Sequence, residues 1–120
     1  MLLGANLRDK NLSGYDFSHM ELMSADLRGA MLDGADISYT YLMEAKLSGA
    51  SLVKSQLQHV KLNKADLGAA NLTGADLQSA QLSAANLCGA DLTGANLGGA
   101  NLDRRTWRGQ SLACRTFATH

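Results

Sequence analysis

Large apolar side chains return along this chain at every fifth residue. The register runs from Leu2 to Phe117 and holds Leu, Phe, Ile or Trp at all 24 positions, twenty of them Leu. The exceptions are Phe17, Ile37, Trp107 and Phe117. We call this position the centre of a five-residue unit. Two residues before it stands Ala in 14 units, most clearly at Ala25, Ala30, Ala35 and from Ala65 to Ala100. One residue before it stands Asn or Asp in 12 units, and ten of the twelve glycines fall two residues after it.

A period of five fits neither regular element. On an α-helix each step of five turns about 500°, so the leucines would spiral around every face. Five is odd, so in a flat strand successive leucines would point to opposite faces. A chain that bends once per unit removes the conflict. Ala and the central Leu are two apart and both point inward along a short extended segment. The residues flanking Leu point outward, and the residue two after it sits at a corner, where glycine tolerates unusual backbone angles. Four such sides close a square, and stacked squares bury the leucines. The pattern thus predicts an all-β, four-sided parallel β-helix of twenty residues per coil, about six coils in 120 residues. Coils should repeat at about 4.8 Å, making a rod of roughly 29 Å. The absence of proline agrees with this, since every backbone N–H is in demand between coils.

The units Ala65-Asp66-Leu67-Gly68-Ala69, Ala70-Asn71-Leu72-Thr73-Gly74, Ala90-Asp91-Leu92-Thr93-Gly94 and Ala95-Asn96-Leu97-Gly98-Gly99 carry a further reading. They resemble the A(D/N)LXX motif of the pentapeptide-repeat family, and the likeness covers essentially the whole chain. The resemblance implies a right-handed quadrilateral β-helix, often dimeric through its ends. It also implies roles in protein interaction. One is protection of a bacterial type II topoisomerase (DNA gyrase) by mimicry of DNA, and another is the interaction domain of a secreted effector.

The terminal units depart from the pattern, as the ends of a stacked array should. We expect one domain over 1–120, with an atypical N-terminal coil at 1–20 and an atypical C-terminal cap at 104–120. The inward Ala position holds Lys10, Tyr15 and Met20 near the start, and Arg105, Gln110 and Arg115 near the end. These are too large for it, so the first and last coils should splay or change conformation. Trp107, Leu112 and Phe117 are the centres of the last coil, and they mark either a simple cap or a dimer end.

Residues twenty apart should lie one above another. One outward column then reads Leu3, Met23, Met43, Asn63, Ser83, Asp103, and its neighbour Glu21, Tyr41, Lys61, Gln81, Asn101. Tyr39 stands at the adjoining corner. Leu3, Met23, Tyr39, Tyr41 and Met43 therefore make an exposed apolar patch on the first coils. It is a candidate site for a protein partner, with incidental packing on a β surface as the alternative. The corner column His19, Tyr39, His59, Ser79 sets its two histidines about 10 Å apart, too far for one metal ion. Cys88 and Cys114 fall on different sides of the square, so no disulfide is expected.

Charge alternates along the axis. Eleven acids balance eleven bases, which argues against a general polyanion binder, and we expect no direct nucleic-acid contact. The bases cluster as Lys46, Lys54, Lys61 and Lys64 and again as Arg104, Arg105, Arg108 and Arg115. Both bands interrupt the sustained acidic face that a DNA mimic needs, although Asp16, Asp36 and Asp76 share a column. No apolar run approaches the roughly 18 residues of a membrane span, and the start lacks the basic and apolar regions of a secretory signal. A reduced, cytoplasmic, bacterial protein is the expectation. Nucleophile elbows, HExxH metal motifs and phosphate-binding glycine loops are all missing. The recurring Asp and Asn follow the structural period, which makes them turn formers instead of acid–base pairs. The reading is a non-enzymatic interaction or scaffold protein without a cofactor.

Overall fold

The computed structural model describes residues 3–102. Trp107, Leu112 and Phe117, proposed above as a cap or dimer end, lie outside these residues, as do the arginines around them. Within the described residues all sixteen β-bridges are parallel and join residues twenty apart, from Asn6 with Asp26 to Gln81 with Asn101. They recur every fifth residue, so one coil holds four units and returns above its own start. The chain is a β-helix with the expected twenty-residue turn.

One unit shows where the backbone hydrogen bonds go. In Ala65–Ala69 the Asp66 N–H donates to the Ala45 carbonyl of the coil below at 2.9 Å. The Leu67 and Ala69 N–H groups donate to the Asn86 and Cys88 carbonyls of the coil above, both at 2.8 Å. The Ala65 N–H closes a turn on the Leu62 carbonyl at 3.0 Å. The Gly68 N–H donates to Oδ1 of Asp66 in its own unit at 3.0 Å. All five donors are used, which is why a proline anywhere in the unit would cost a bond.

That last bond explains the Asn/Asp preference. The residue two after each such side chain donates its N–H to Oδ1 in every described unit that has one, for example Arg8 to Asn6, Thr73 to Asn71 and Gly98 to Asn96. At Ser18, Ser38, Thr73 and Thr93 the hydroxyl adds a second bond, as from Ser18 Oγ to Asp16 and from Thr93 Oγ1 to Asp91, both 2.6 Å. These hydroxyls hold the Asp16 and Asp91 carboxyls below the usual carboxylate range. Turn formation, expected from the period, is what these residues do. Ser51 replaces Asx in its unit, and there the acceptor comes from one coil below. Asp33 Oδ1 takes the Val53 N–H at 3.0 Å together with the Ser51 hydroxyl.

The interior is as the pattern requires. Leu22 through Leu92 at the centres, and Ala25 through Ala90 at the positions before them, are 3% exposed or less. Two polar residues share these alanine positions, and both have partners. Thr40 Oγ1 donates to the Phe17 carbonyl at 2.9 Å, and Ser55 Oγ to the Leu52 carbonyl at 2.8 Å.

Two expectations need correction. The first coil does not change conformation: its bridges and turns continue unbroken down to the first described residues. Only the oversized side chains give way. Lys10 and Tyr15 are exposed, Tyr15 stacks on Phe17 at 6.0 Å, and Met20 stays half-buried against the core. No described coil lies beneath them, so there is room without distorting the backbone. Cys88, second, is disulfide-bonded. The opposite expectation carried the fivefold register through Cys114, which lies outside the described residues.

Candidate interaction face

Every unit from Gly4 to Gly99 turns through a residue with positive φ, two after the centre. The residue before it has no positive φ, and the following N–H bonds the central carbonyl, so the turn is type II. Glycine suits that position. Nine units use it, yet eleven use residues with a side chain, at φ between 57° and 65°. A left-handed conformation costs such a residue about 1–2 kcal/mol.

These eleven are not spread evenly. The corner columns Gly14, Gly34, Lys54, Gly74, Gly94 and Asp9, Gly29, Gly49, Ala69, Gly89 are mostly glycine. The other two are His19, Tyr39, His59, Ser79, Gly99 and Gly4, Ser24, Glu44, Lys64, Ala84. Eight of the eleven therefore flank one side, the side centred on Leu22, Leu42, Leu62, Leu82 and Leu102. That is also the side with Leu3, Met23, Tyr41 and Met43. Backbone strain kept at a few positions is characteristic of surfaces that do something.

The side chains there are organised. The rings of His19, Tyr39 and His59 stack in one ladder, with centroids 4.9 and 4.7 Å apart and planes within 9° of parallel. Their spacing is the coil repeat itself. Next to this corner the Lys61 ammonium lies 5.4 Å from the centroid of the Tyr41 ring. Leu3, Tyr39 and Tyr41 are exposed, at 58%, 45% and 36%. Met23 and Met43 are only half-exposed, so the patch is flatter than an all-exposed column would be. Charge on this side is graded: Glu21 and Glu44 stand on the lower coils, Lys61 and Lys64 one or two coils higher.

The repeat places these five residues on one side but leaves other features of the surface unmarked. The order His19, Tyr39, His59 in one column, which sets the histidines too far apart for one metal ion, is also the signal of a ring stack. Met31, on another side, is 43% exposed without any mark in the repeat, and Tyr15, noted above for its size, is 55% exposed. No group of three or more His, Cys, Asp or Glu among the described residues is arranged to hold a metal ion.

On the other sides several polar groups are paired within the chain. Arg28 grips Asp26 through Nε and Nη2 at 2.9 and 2.7 Å, with Arg8 at 4.0 Å from the coil below. This contact, Arg28 foremost, holds the Asp26 carboxyl at about 2. In the acidic column, Asp16 and Asp36 accept from Ser18 and Ser38, while Asp76 accepts from Gln58 and Gln78.

The sequence matches the family model for pentapeptide repeats in eight copies, across residues 2–38, 40–78 and 70–104. Among solved structures it is similar to a pentapeptide repeat protein from the Arabidopsis thaliana thylakoid lumen, at 32% identity and a TM-score of 0.78. That likeness covers 79% of this chain and 66% of the other, so this chain spans just under two thirds of its length. It is similar to the pentapeptide repeat protein Rfr23 from the cyanobacterium Cyanothece 51142, at 29% identity and a TM-score of 0.55, over 85% and 86% of the two chains. The plasmid-mediated fluoroquinolone resistance protein QnrB1 matches at 21% identity and a TM-score of 0.46, over 89% of this chain and 64% of that one. A likeness that distant carries no argument about activity. No curated protein matches the chain.

Proposed function

This chain belongs to the pentapeptide-repeat family, and we propose that it is a non-enzymatic, four-sided β-helix that binds a protein partner through the side bearing Leu3, Met23, Tyr39, Tyr41 and Met43. The fold is the right-handed β-helix of its structural neighbours. Five coils fill residues 3–102 at twenty residues each. The observation that carries the functional reading is the placement of strained corners. Eight of the eleven non-glycine left-handed residues border this one side. Folding alone would favour glycine there, as it does on the other corners.

The test compares the parent with a Met23→Asp, Met43→Asp variant. Both positions point away from the core, so melting should be nearly unchanged. Affinity capture from the source organism should lose at least one protein that the parent retains. Equal capture by both, in every band, would end this reading.

A second reading, mimicry of DNA toward a type II topoisomerase, is favoured by the column Asp16, Asp36, Asp76 on another side. Gln56 interrupts it, and the carboxylates already serve the turns, so it stands second. Relief of quinolone inhibition in a gyrase supercoiling assay at equimolar protein would promote it, and an unchanged assay over a wide concentration range would remove it.

A further inference from the structure

The graded charge on this side has a consequence for what fits it. Glu21, Tyr41, Lys61 and Gln81 are bridged in one column, one coil apart. Acid stands at the bottom, an aromatic ring in the middle and base at the top. Such a column is complementary to itself when inverted. We propose that a second copy of this chain docks antiparallel on this side. The inference rests on the reading of the side as an interaction face and names its occupant.

An antiparallel copy related by a two-fold axis in the interface keeps each column opposite itself and reverses the order of its levels. With the axis at the level of Tyr41, Glu21 of each copy faces Lys61 of the other, two coils from its own Lys61. Tyr41 and Met43 meet their counterparts, so apolar surface is buried on apolar surface at the centre and charges pair on either side of it. Glu44 meets its own counterpart only at the corner, where water and the Lys64 one coil above screen it. A parallel arrangement would instead set Glu21 against Met23 and leave every charge unpaired. Elsewhere the Asp16, Asp36, Asp76 column holds acids and no base, and in the column Asp26, Lys46, Asp66 the Asp26 carboxylate is already taken by Arg28 within the chain.

The footprint bounds the strength. With the axis at Tyr41 the overlap runs from the level of Leu3 to that of Ser83, five levels or about 19 Å at the usual strand spacing. A five-residue unit reaches no more than about 17 Å across. The contact is therefore about 320 Å² per copy at most, under half of what stable complexes bury on each partner. The dimer should be weak, concentration-dependent and weakened further by salt.

Sedimentation equilibrium on the full chain over a wide concentration range tests this. The parent should shift from monomer toward dimer as concentration rises. Glu21→Lys alone, or Lys61→Glu alone, should remain monomeric, because each puts like charges opposite one another twice. An equimolar mixture of these two variants should associate again, since lysine then faces glutamate at both contacts. Melting curves of each variant, taken alongside, verify that the fold is intact. A parent that stays monomeric at every concentration would sink the proposal, and so would a mixture that associates no better than its components. If the parent is monomeric yet the Met23→Asp, Met43→Asp variant still loses a captured protein, the face binds a foreign partner and self-pairing is excluded. The two readings therefore fail separately.

Discussion

Replacing Tyr39 by glycine separates the strain of a corner from what the side chain returns. Tyr39 sits at φ 59° and contacts one histidine ring on each side. Glycine would relieve about 1–2 kcal/mol of left-handed strain. Against this, the freer unfolded chain costs about 0.4–1 kcal/mol. The two lost ring contacts cost about 0.5–1.5 kcal/mol each. The loss outweighs the relief, and Tyr39→Gly should destabilise by about 1 kcal/mol. Ser24→Gly is the control. Ser24 has φ 61°, is exposed and takes part in no ring contact, so only the first two effects apply. It should be stabilised by a few tenths to about 1 kcal/mol. Urea unfolding followed by circular dichroism measures both, and the difference of about 2 kcal/mol between them is the worth of the ladder. If Tyr39→Gly gains stability as Ser24→Gly does, the stacked rings contribute nothing and their parallel planes merely follow the backbone repeat.

Three further outcomes follow from other parts of the molecule. Leu67→Ala should cost about 2–5 kcal/mol in the same unfolding experiment, because Leu67 is wholly enclosed, whereas Gln78→Lys on the outside should stay within about 0.5 kcal/mol of the parent. Asp33→Ala should cost about 1 kcal/mol and speed hydrogen exchange at the Val53 amide, while Asp33→Asn, which keeps the acceptor oxygen, should not. Asp26 has its carboxyl held at about 2 against an ordinary 3.8, chiefly by Arg28. A depressed carboxyl stabilises the fold above its unfolded pKa and loses that contribution as pH falls through the folded one. Arg28→Gln should thus be less stable than the parent above about pH 4 and converge with it near pH 2; parallel curves down to pH 2 would refute the pairing.

The fivefold register of Leu and Ala was enough to determine the coil, and the reason is steric. A pair of inward residues two apart, repeated after an odd number, admits only a chain that bends once per unit. Ala65 and Leu67 could therefore be placed inside, Asp66 at the turn and Gly74 at a corner, from the letters alone. The vertical neighbours followed as well, since four units per coil set residues twenty apart in contact.

What the letters left open depends on contacts between coils and on the ends. Tyr39 and Glu44 occupy a backbone region that their own chemistry disfavours, and only the turns closed by the stacked coils hold them there. Asp33 serves Val53 across a coil boundary, a partnership that compensates for Ser51 and has no trace in the repeat. Lys10 and Tyr15 looked like reasons for the first coil to change shape, yet the hydrogen bonds to the coil above keep it regular, and with no described coil beneath them the side chains have room. The repeat determines how each unit folds, because that is decided within five residues. Which side carries strained corners, stacked rings and a self-complementary order of charges is decided by what lies twenty residues away, and only the closed coil brings those residues together.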